Sequence, residues 1–287
     1  MARKKLKWSD MRPSEKRDHV IYLIGQILKW LFVGSMCIFT LYPVVYTLLG
    51  SFKTNAELTL GGNFLPENWQ FNNYVYAFQK LDFGKYFLNS VVLALLTVVF
   101  TLITSSMAAY VISRRDFVGK KLISTAYLLS MFISVGSVAL YPLYTLMSRL
   151  GLTKNMVGLA LMLTGGQAAN IFMISGFING VTKDLDEAAT IDGAGPFRIF
   201  WQIIVPAIKP ILGVIALFAF RQAWNEFVTA QVFTMANPGL KTLSVAVANL
   251  RYSANAAAEW HIMTAGASIA LLPILLVDRK STRLNSS

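Results

Sequence analysis

Six long apolar runs constrain this chain more than any other feature of it. They lie near residues 25–50, 88–112, 122–147, 156–179, 203–228 and 262–277. In hydrocarbon every backbone polar group has to be satisfied within the structure, so a run of about 20 apolar residues reads as a spanning helix. Of 287 residues 55% are hydrophobic and 14% charged, with a mean hydropathy of +0.53, which is more apolar matter than one water-soluble core carries. No run alternates with the period of two of an outer-membrane barrel strand, and most exceed the roughly 10 residues of such a strand. The expected fold is an all-α membrane protein with six transmembrane helices.

Lysine and arginine set the expected orientation, because they are retained on the cytoplasmic side. With the N-terminus inside, inner segments hold 14 of them: Arg3, Lys4, Lys5, Lys7, Arg12, Lys16, Arg17, Arg114, Arg115, Lys120, Lys121, Lys183, Arg198 and Lys209. Outer segments hold 7: Lys53, Lys80, Lys85, Arg149, Lys154, Lys241 and Arg251. The expectation is a multi-pass protein of the bacterial cytoplasmic membrane, surrounded by lipid, with a cytoplasmic N-terminus. Residues 1–24 form a basic tail, 25–50 the first span, 51–87 an external loop and 88–277 the core of the bundle. The +12 formal charge flanks spans and forms no basic stripe interleaved with aromatics, so no nucleic-acid partner is expected. The first apolar run is long and has no small-residue cleavage site, so it reads as an uncleaved span.

Enzymatic classes find no support. Cys37 is the only cysteine, inside the first run, and His19 and His261 lie at presumed opposite faces, so no metal site is expected. No phosphate loop of the form Gly-x-x-x-x-Gly-Lys-Ser/Thr occurs; the nearest fragment, Gly119-Lys120-Lys121, has Arg114 where the first glycine is needed. No Gly-x-Ser-x-Gly elbow, His-Glu-x-x-His helix or close carboxylate pair within a span occurs either. No catalytic residue and no cofactor bound by this chain are expected.

The polar interval 180–209 carries the most specific signal. Asp184, Asp186 and Glu187 suit the positive end of a helix dipole, predicting a helix that starts near 184. Ala188, Ala189 and Gly193 form a side-chain-poor patch that another protein can approach closely. Ile203, Ile204 and Val205 lead back into the membrane, with Pro206 and Pro210 compatible with a first helical turn. On these residues alone, a docking helix and a plain amphipathic interfacial helix are both open.

Polar groups inside spans are expensive and raise functional hypotheses. Arg221, Gln222, Trp224, Asn225 and Glu226 cluster late in the fifth run and are candidates for lining a path, with Gln222 and Glu226 on one face. The alternative is that Arg221 anchors the helix at the outer headgroups and pairs with Glu226. Gly165, Gly166, Gln167 and Asn170 interrupt the fourth run, offering a kink, close packing or hydrogen-bond donors.

The spacing Glu187-Ala188-Ala189, three residues, Gly193, nine residues, Ile203, one residue, Val205-Pro206 resembles the EAA loop of ABC importer membrane subunits, with Val205 where leucine is usual. Asp192-Gly193-Ala194, Lys209-Pro210 and Trp224-Asn225 with Phe227 resemble the carbohydrate, maltose-type branch of that family. So do Leu41-Tyr42-Pro43, Ser51-Phe52-Lys53, Asn72 and Tyr74, and Phe87 with Asn89-Ser90, and the likeness covers about 260 residues. It implies a type-1 ABC importer permease fold and a subunit that forms the translocation path for a sugar or oligosaccharide. It also implies a second permease subunit, different from this one, and two ATPase subunits that hold ATP and magnesium. An extracytoplasmic sugar-binding protein would deliver the solute. Glu187, Ala188, Ala189, Asp192, Gly193 and Pro206 are then the ATPase-docking residues.

Two further classes remain open at this point: an importer permease for a non-sugar solute, and a secondary transporter, which more often shows paired broken helices or buried acidic residues in repeated halves. The sixth run stops near 277, about 16 apolar residues long against roughly 20 needed, so a truncated last helix is expected, and 278–287 reads as a non-native tail.

Overall fold

The computed structural model describes residues 12–80, 82–133, 136–250 and 258–284. The basic positions Arg3, Lys4, Lys5 and Lys7, the external Arg251 and the last residues 285–287 lie outside the described residues. Every element is helical.

Helix α1, Pro13–Gly50, is apolar on all sides and almost wholly exposed. A helix hydrophobic all round needs lipid or protein about it. At its end, a short excursion carries α2, Asn55–Thr59, and α3, Asn72–Lys80. Thr54 and Glu57 cap α2 reciprocally, and Asn73 donates to the carbonyls of Ser51 and Lys53, both at 2.9 Å, which closes the excursion back on the end of α1.

Helix α4, Phe83–Arg114, is the axis of the bundle and packs against the helices of the second half of the chain. Its buried face carries, beside the bulkier Leu93 and Tyr110, a line of small and hydroxyl residues, Ser90, Ala94, Thr97, Thr101, Ser105 and Ala109, at helical spacing. Without bulk there, neighbouring backbones come close, which substitutes for the hydrophobic driving force that lipid removes.

The interval 122–147, expected as one helix, is two: α5, Lys120–Ser130, and α6, Leu140–Arg149, separated by a 3₁₀ turn at Gly136–Ala139. Pro142 lies in the first turn of α6, where it cannot donate back to the preceding turn, so the helix restarts there. The interval 156–179 is also two helices, α7, Met156–Leu163, and α8, Ala168–Asn179, bent by 67°. Gly166 takes φ +70° in the break, a conformation that costs a residue with a Cβ about 1–2 kcal/mol.

Helix α9, Asp184–Ile191, is followed by α10, Pro196–Ile199, a π-helical turn, Phe200–Ile204, and α11, Val205–Ala207. Then comes α12, Lys209–Asn225, at 82° to this approach helix. The expected fifth span, 203–228, therefore begins at 209: Ile203 to Pro206 belong to the approach limb, and a bend at Ile208 intervenes. Helices α13, Val228–Thr234, α14, Leu243–Asn249, and α15, Trp260–Leu284, complete the chain.

By length and composition two helices, His19–Gly50 and Phe83–Arg114, are long and apolar enough to cross a membrane, and up to four if each bent pair is one span; Trp260–Ile274 is a shorter apolar stretch. Three apolar clusters hold the bundle. One surrounds Leu93, Leu159 and Phe233, another Trp224, Leu243 and Ile262. The third is mostly isoleucine and joins α4, through Ala109 and Tyr110, and α8, through Ile171 and Ile178, to Ile199 and Ile204 of the approach limb and Ile215 of α12.

Candidate functional site

Helix α9 starts at Asp184, and Asp184, Asp186 and Glu187 occupy its first turn, where unpaired amides favour acidic side chains. It ends in a Schellman turn: Ala194 N–H bonds to Ala189 O at 2.9 Å and Gly193 N–H to Thr190 O at 3.0 Å. The turn needs a left-handed residue, and Gly193 takes φ +80° with open space around its missing Cβ. Gly193 is therefore set by the backbone of its own chain.

None of the eight residues of α9 is buried. Glu187, Ala188 and Asp192 are exposed, Ile191 is 86% exposed and Leu185 49%, while of the residues of α9 Ala189 leans on the isoleucine cluster. The segment presents a surface of small, apolar and acidic side chains that no other described residue of the chain covers.

Two links from the end of α4 hold this segment. Arg114, its side chain 4% exposed, places Nε 3.0 Å from Asp186 Oδ2, and its Nη2 donates to Val181 O at 2.6 Å. The Nε–H is not aligned for a hydrogen bond, so the contact with Asp186 is an ion pair, and Val181 takes the directed bond. Tyr110 donates to Pro196 O at 3.4 Å and packs on the Phe200 ring, with centroids 5.3 Å apart. Neither Arg114 nor Tyr110 stood out in the sequence, where Arg114 counted only toward orientation.

Pro206 lies in the first turn of α11, directly after the π-helical turn. A proline ring collides with the carbonyl four residues back, and the wider turn, in which Val205 N–H reaches Phe200 O, opens the helix there.

The residues taken as a possible path do not converge. Trp224 is 3% exposed, stacks on Phe220 at 5.6 Å and meets Phe87 edge-on at 5.8 Å. Its indole donates to Ala270 O at 3.4 Å. It is a core residue of this chain, enclosed by Phe87 from α4 and by Phe220 one turn back on its own helix. Glu226 accepts the Thr229 amide at 2.8 Å, capping α13, and no ion pair joins it to Arg221 among the described residues. Arg221, Gln222 and Asn225 are exposed.

Gln222 Nε2 instead donates to Leu163 O, the last residue of α7, at 3.3 Å. Across the same break Gln167 donates to Thr101 at 3.4 Å and Asn170 to Gln167 at 2.5 Å. Broken helices expose backbone groups that neighbouring side chains have to satisfy, and Gln222 does so for Leu163 O, while Gln167 and Asn170 bond to side chains across the break. The interruption of the fourth run is thus a kink. Among the described residues no group of three or more His, Cys, Asp or Glu could hold a metal ion.

Residues 8–286 match the family described as binding-protein-dependent transport system inner membrane component. The chain is 32% identical over 252 residues to the trehalose transport system permease protein SugB of Mycobacterium tuberculosis, covering 87% of this chain and 89% of that one. It is 32% identical over 191 residues to the diacetylchitobiose uptake system permease protein NgcG of Streptomyces coelicolor, covering 66% of this chain and 63% of that one. It is 28% identical to the probable starch degradation products transport system permease protein AmyC of Thermoanaerobacterium thermosulfurigenes, over 93% of each. The fold matches a crystal structure of a bacterial ABC transporter involved in alginate import, with TM-score 0.76, 22% identity and 91% and 96% of the two chains covered. The chain therefore belongs to the family of inner-membrane components of binding-protein-dependent transport systems.

Proposed function

We propose that this chain is the permease subunit of an ATP-driven importer of a sugar or oligosaccharide, and that residues Glu187 to Gly193 seat in a separate ATPase subunit. The observation that carries the docking part is helix α9, which exposes Glu187, Ala188, Leu185 and Ile191 while its base is tied to the end of α4. A surface of that kind transmits force only if something grips it. The matched relatives named for trehalose, diacetylchitobiose and starch degradation products support a carbohydrate solute.

In this reading, six spans cross the cytoplasmic membrane with the N-terminus inside, and a second permease completes the path beside the exposed α1. An external binding protein delivers the solute, and a structural neighbour solved with an alginate pentasaccharide-bound periplasmic protein supports such a partner. The chain catalyses no reaction; nucleotide and magnesium belong to the ATPase. Closure of that ATPase moves α9 and the approach limb together, and the change reaches the bundle as a rigid-body shift.

Uptake of labelled trehalose, chitobiose and maltodextrins in cells carrying Glu187→Lys or Gly193→Asp tests this. Loss of uptake at normal membrane levels is expected for at least one of these solutes transported by the unaltered protein. Unchanged uptake in both variants contradicts the docking assignment, and no uptake of any carbohydrate by the unaltered protein contradicts the solute class.

A further inference from the structure

We infer that Arg114 is the positioning residue through which the docking segment drives α4, so that coupling runs through a latch at Arg114, Asp186 and Val181 as well as along the chain into α12. The inference rests on the docking proposal above.

A helix of eight residues is too short to keep its shape or direction unaided, and α9 buries none of its residues to compensate. Its peptide route to the bundle is indirect: after α9 come the Gly193 turn, a separate approach limb and an 82° bend before α12. A push on α9 therefore reaches α12 along the chain only through a glycine turn and a sharp bend.

The path backward is short and stiff. Arg114 ends α4, is 4% exposed, and touches α9 through Asp186 and the loop before it through Val181 O. One guanidinium serves both at once, with Nη2 directed at Val181 O and Nε beside Asp186 Oδ2, a two-point reach that the single ammonium of a lysine does not reproduce. Asp186 is 18% exposed, and its other oxygen, Oδ1, is buried without a partner. Removing Arg114 leaves that half-buried carboxylate without its cation and Oδ1 still without a partner, so water makes good only part of the loss. Arg114 also sits at the negative end of the α4 dipole, a purely stabilising role that any cation there fulfils. The two roles separate on substitution, because Lys keeps the charge and loses the fork.

The test uses the assembled transporter, isolated from its native membrane through a tag on this chain and reconstituted in vesicles. Solute uptake and ATP hydrolysis are measured for Arg114→Ala, Arg114→Lys, Asp186→Asn and the exchange Arg114→Asp with Asp186→Arg, with Glu187→Lys as the docking control. Expected are ATPase subunits that still co-purify, and uptake per ATP hydrolysed lowered about tenfold or more in Arg114→Ala. Arg114→Lys falls between the two despite its intact charge, and the exchange recovers part of the coupling. Wild-type uptake per ATP in Arg114→Ala, with Glu187→Lys uncoupled, overturns the latch and leaves docking standing. Wild-type coupling in both variants overturns docking and latch together. Equal behaviour of Arg114→Lys and the unaltered protein reduces Arg114 to a dipole partner and also overturns the latch.

Discussion

The excursion after α1 and the segment around α9 are both short helical pieces hung on long helices, yet they are held in opposite ways. The excursion is closed by its own groups. Asn73 spans two carbonyls, Thr54 and Glu57 cap each other, and Phe52 packs with Trp69, Phe71 and Tyr74 at centroid distances of 5.3 Å. Lys80 pairs with Glu259, and Asn55 donates to Ala258 O at 2.8 Å, so the loop is also tied to the start of α15. Around α9 there is a glycine turn, a single buried arginine and an open face. A segment that satisfies itself acts as scaffold; one that leaves its face bare and its base clamped fits the docking role proposed for α9.

That contrast can be broken at several points, in order of expected effect. Trp224→Ala removes a buried ring shared by Phe87 and Phe220, and the cost is about 3–5 kcal/mol. Thermal unfolding in detergent should show a large drop in Tm, with transport lost through unfolding and not through lost solute contact. A fully stable but inactive protein returns Trp224 to the path. Arg221→Ala, at an exposed site, should change stability by no more than about 0.5 kcal/mol, so that any transport defect there is functional.

Asn73→Ala leaves two carbonyls of the excursion without their donor, at about 1–3 kcal/mol, and should speed amide exchange across 51–80 while sparing α9. Exchange that rises equally in both regions contradicts their independence. Gly193→Ala forces a Cβ into the left-handed turn, costs about 1 kcal/mol and should loosen the amides of Thr190 to Ala194 only.

The smallest effect is a pH dependence. The Thr54 amide, and then that of Glu67, bond to the Glu57 carboxylate and hold its pKa below the ordinary value of 4.5. A depressed folded pKa gives stability that is complete above the unfolded value and fades as pH falls through the folded one. Amide protection of α2 should therefore decline on the acid side of 4.5 and become insensitive to pH in Glu57→Gln. A decline that persists in Glu57→Gln assigns the titration elsewhere.

What was legible in the sequence was local. The start of α9 follows from Asp184, Asp186 and Glu187 in one turn, and the interruption at Gly165-Gly166 from two adjacent glycines inside an apolar run. The break at Ile208 was not legible, because Pro206 and Pro210 read as first-turn residues of an unbroken span, and Pro142 lay inside the run 122–147, where a proline fits a kinked span as well as a restarted helix. Trp224 among amides has the composition of a sugar site, and only its neighbours on α4 and α15 show that the ring is enclosed. The link of Arg114 to Asp186 joins two elements far apart in the chain, and at the sequence level nothing distinguishes Arg114 from Arg115 beside it. Local chemistry gives helix ends and caps; the partners that satisfy a buried charge come from packing.

The most direct test of the account is a photo-reactive amino acid placed at Ala188, in cells expressing the whole transport system, with Trp69 as the control position. The expected result is a crosslink from position 188 to an ATP-binding subunit, identified by mass spectrometry, and none to that subunit from position 69. No crosslink to any ATP-binding protein from 188, or the same product from both positions, would contradict a docking role for α9.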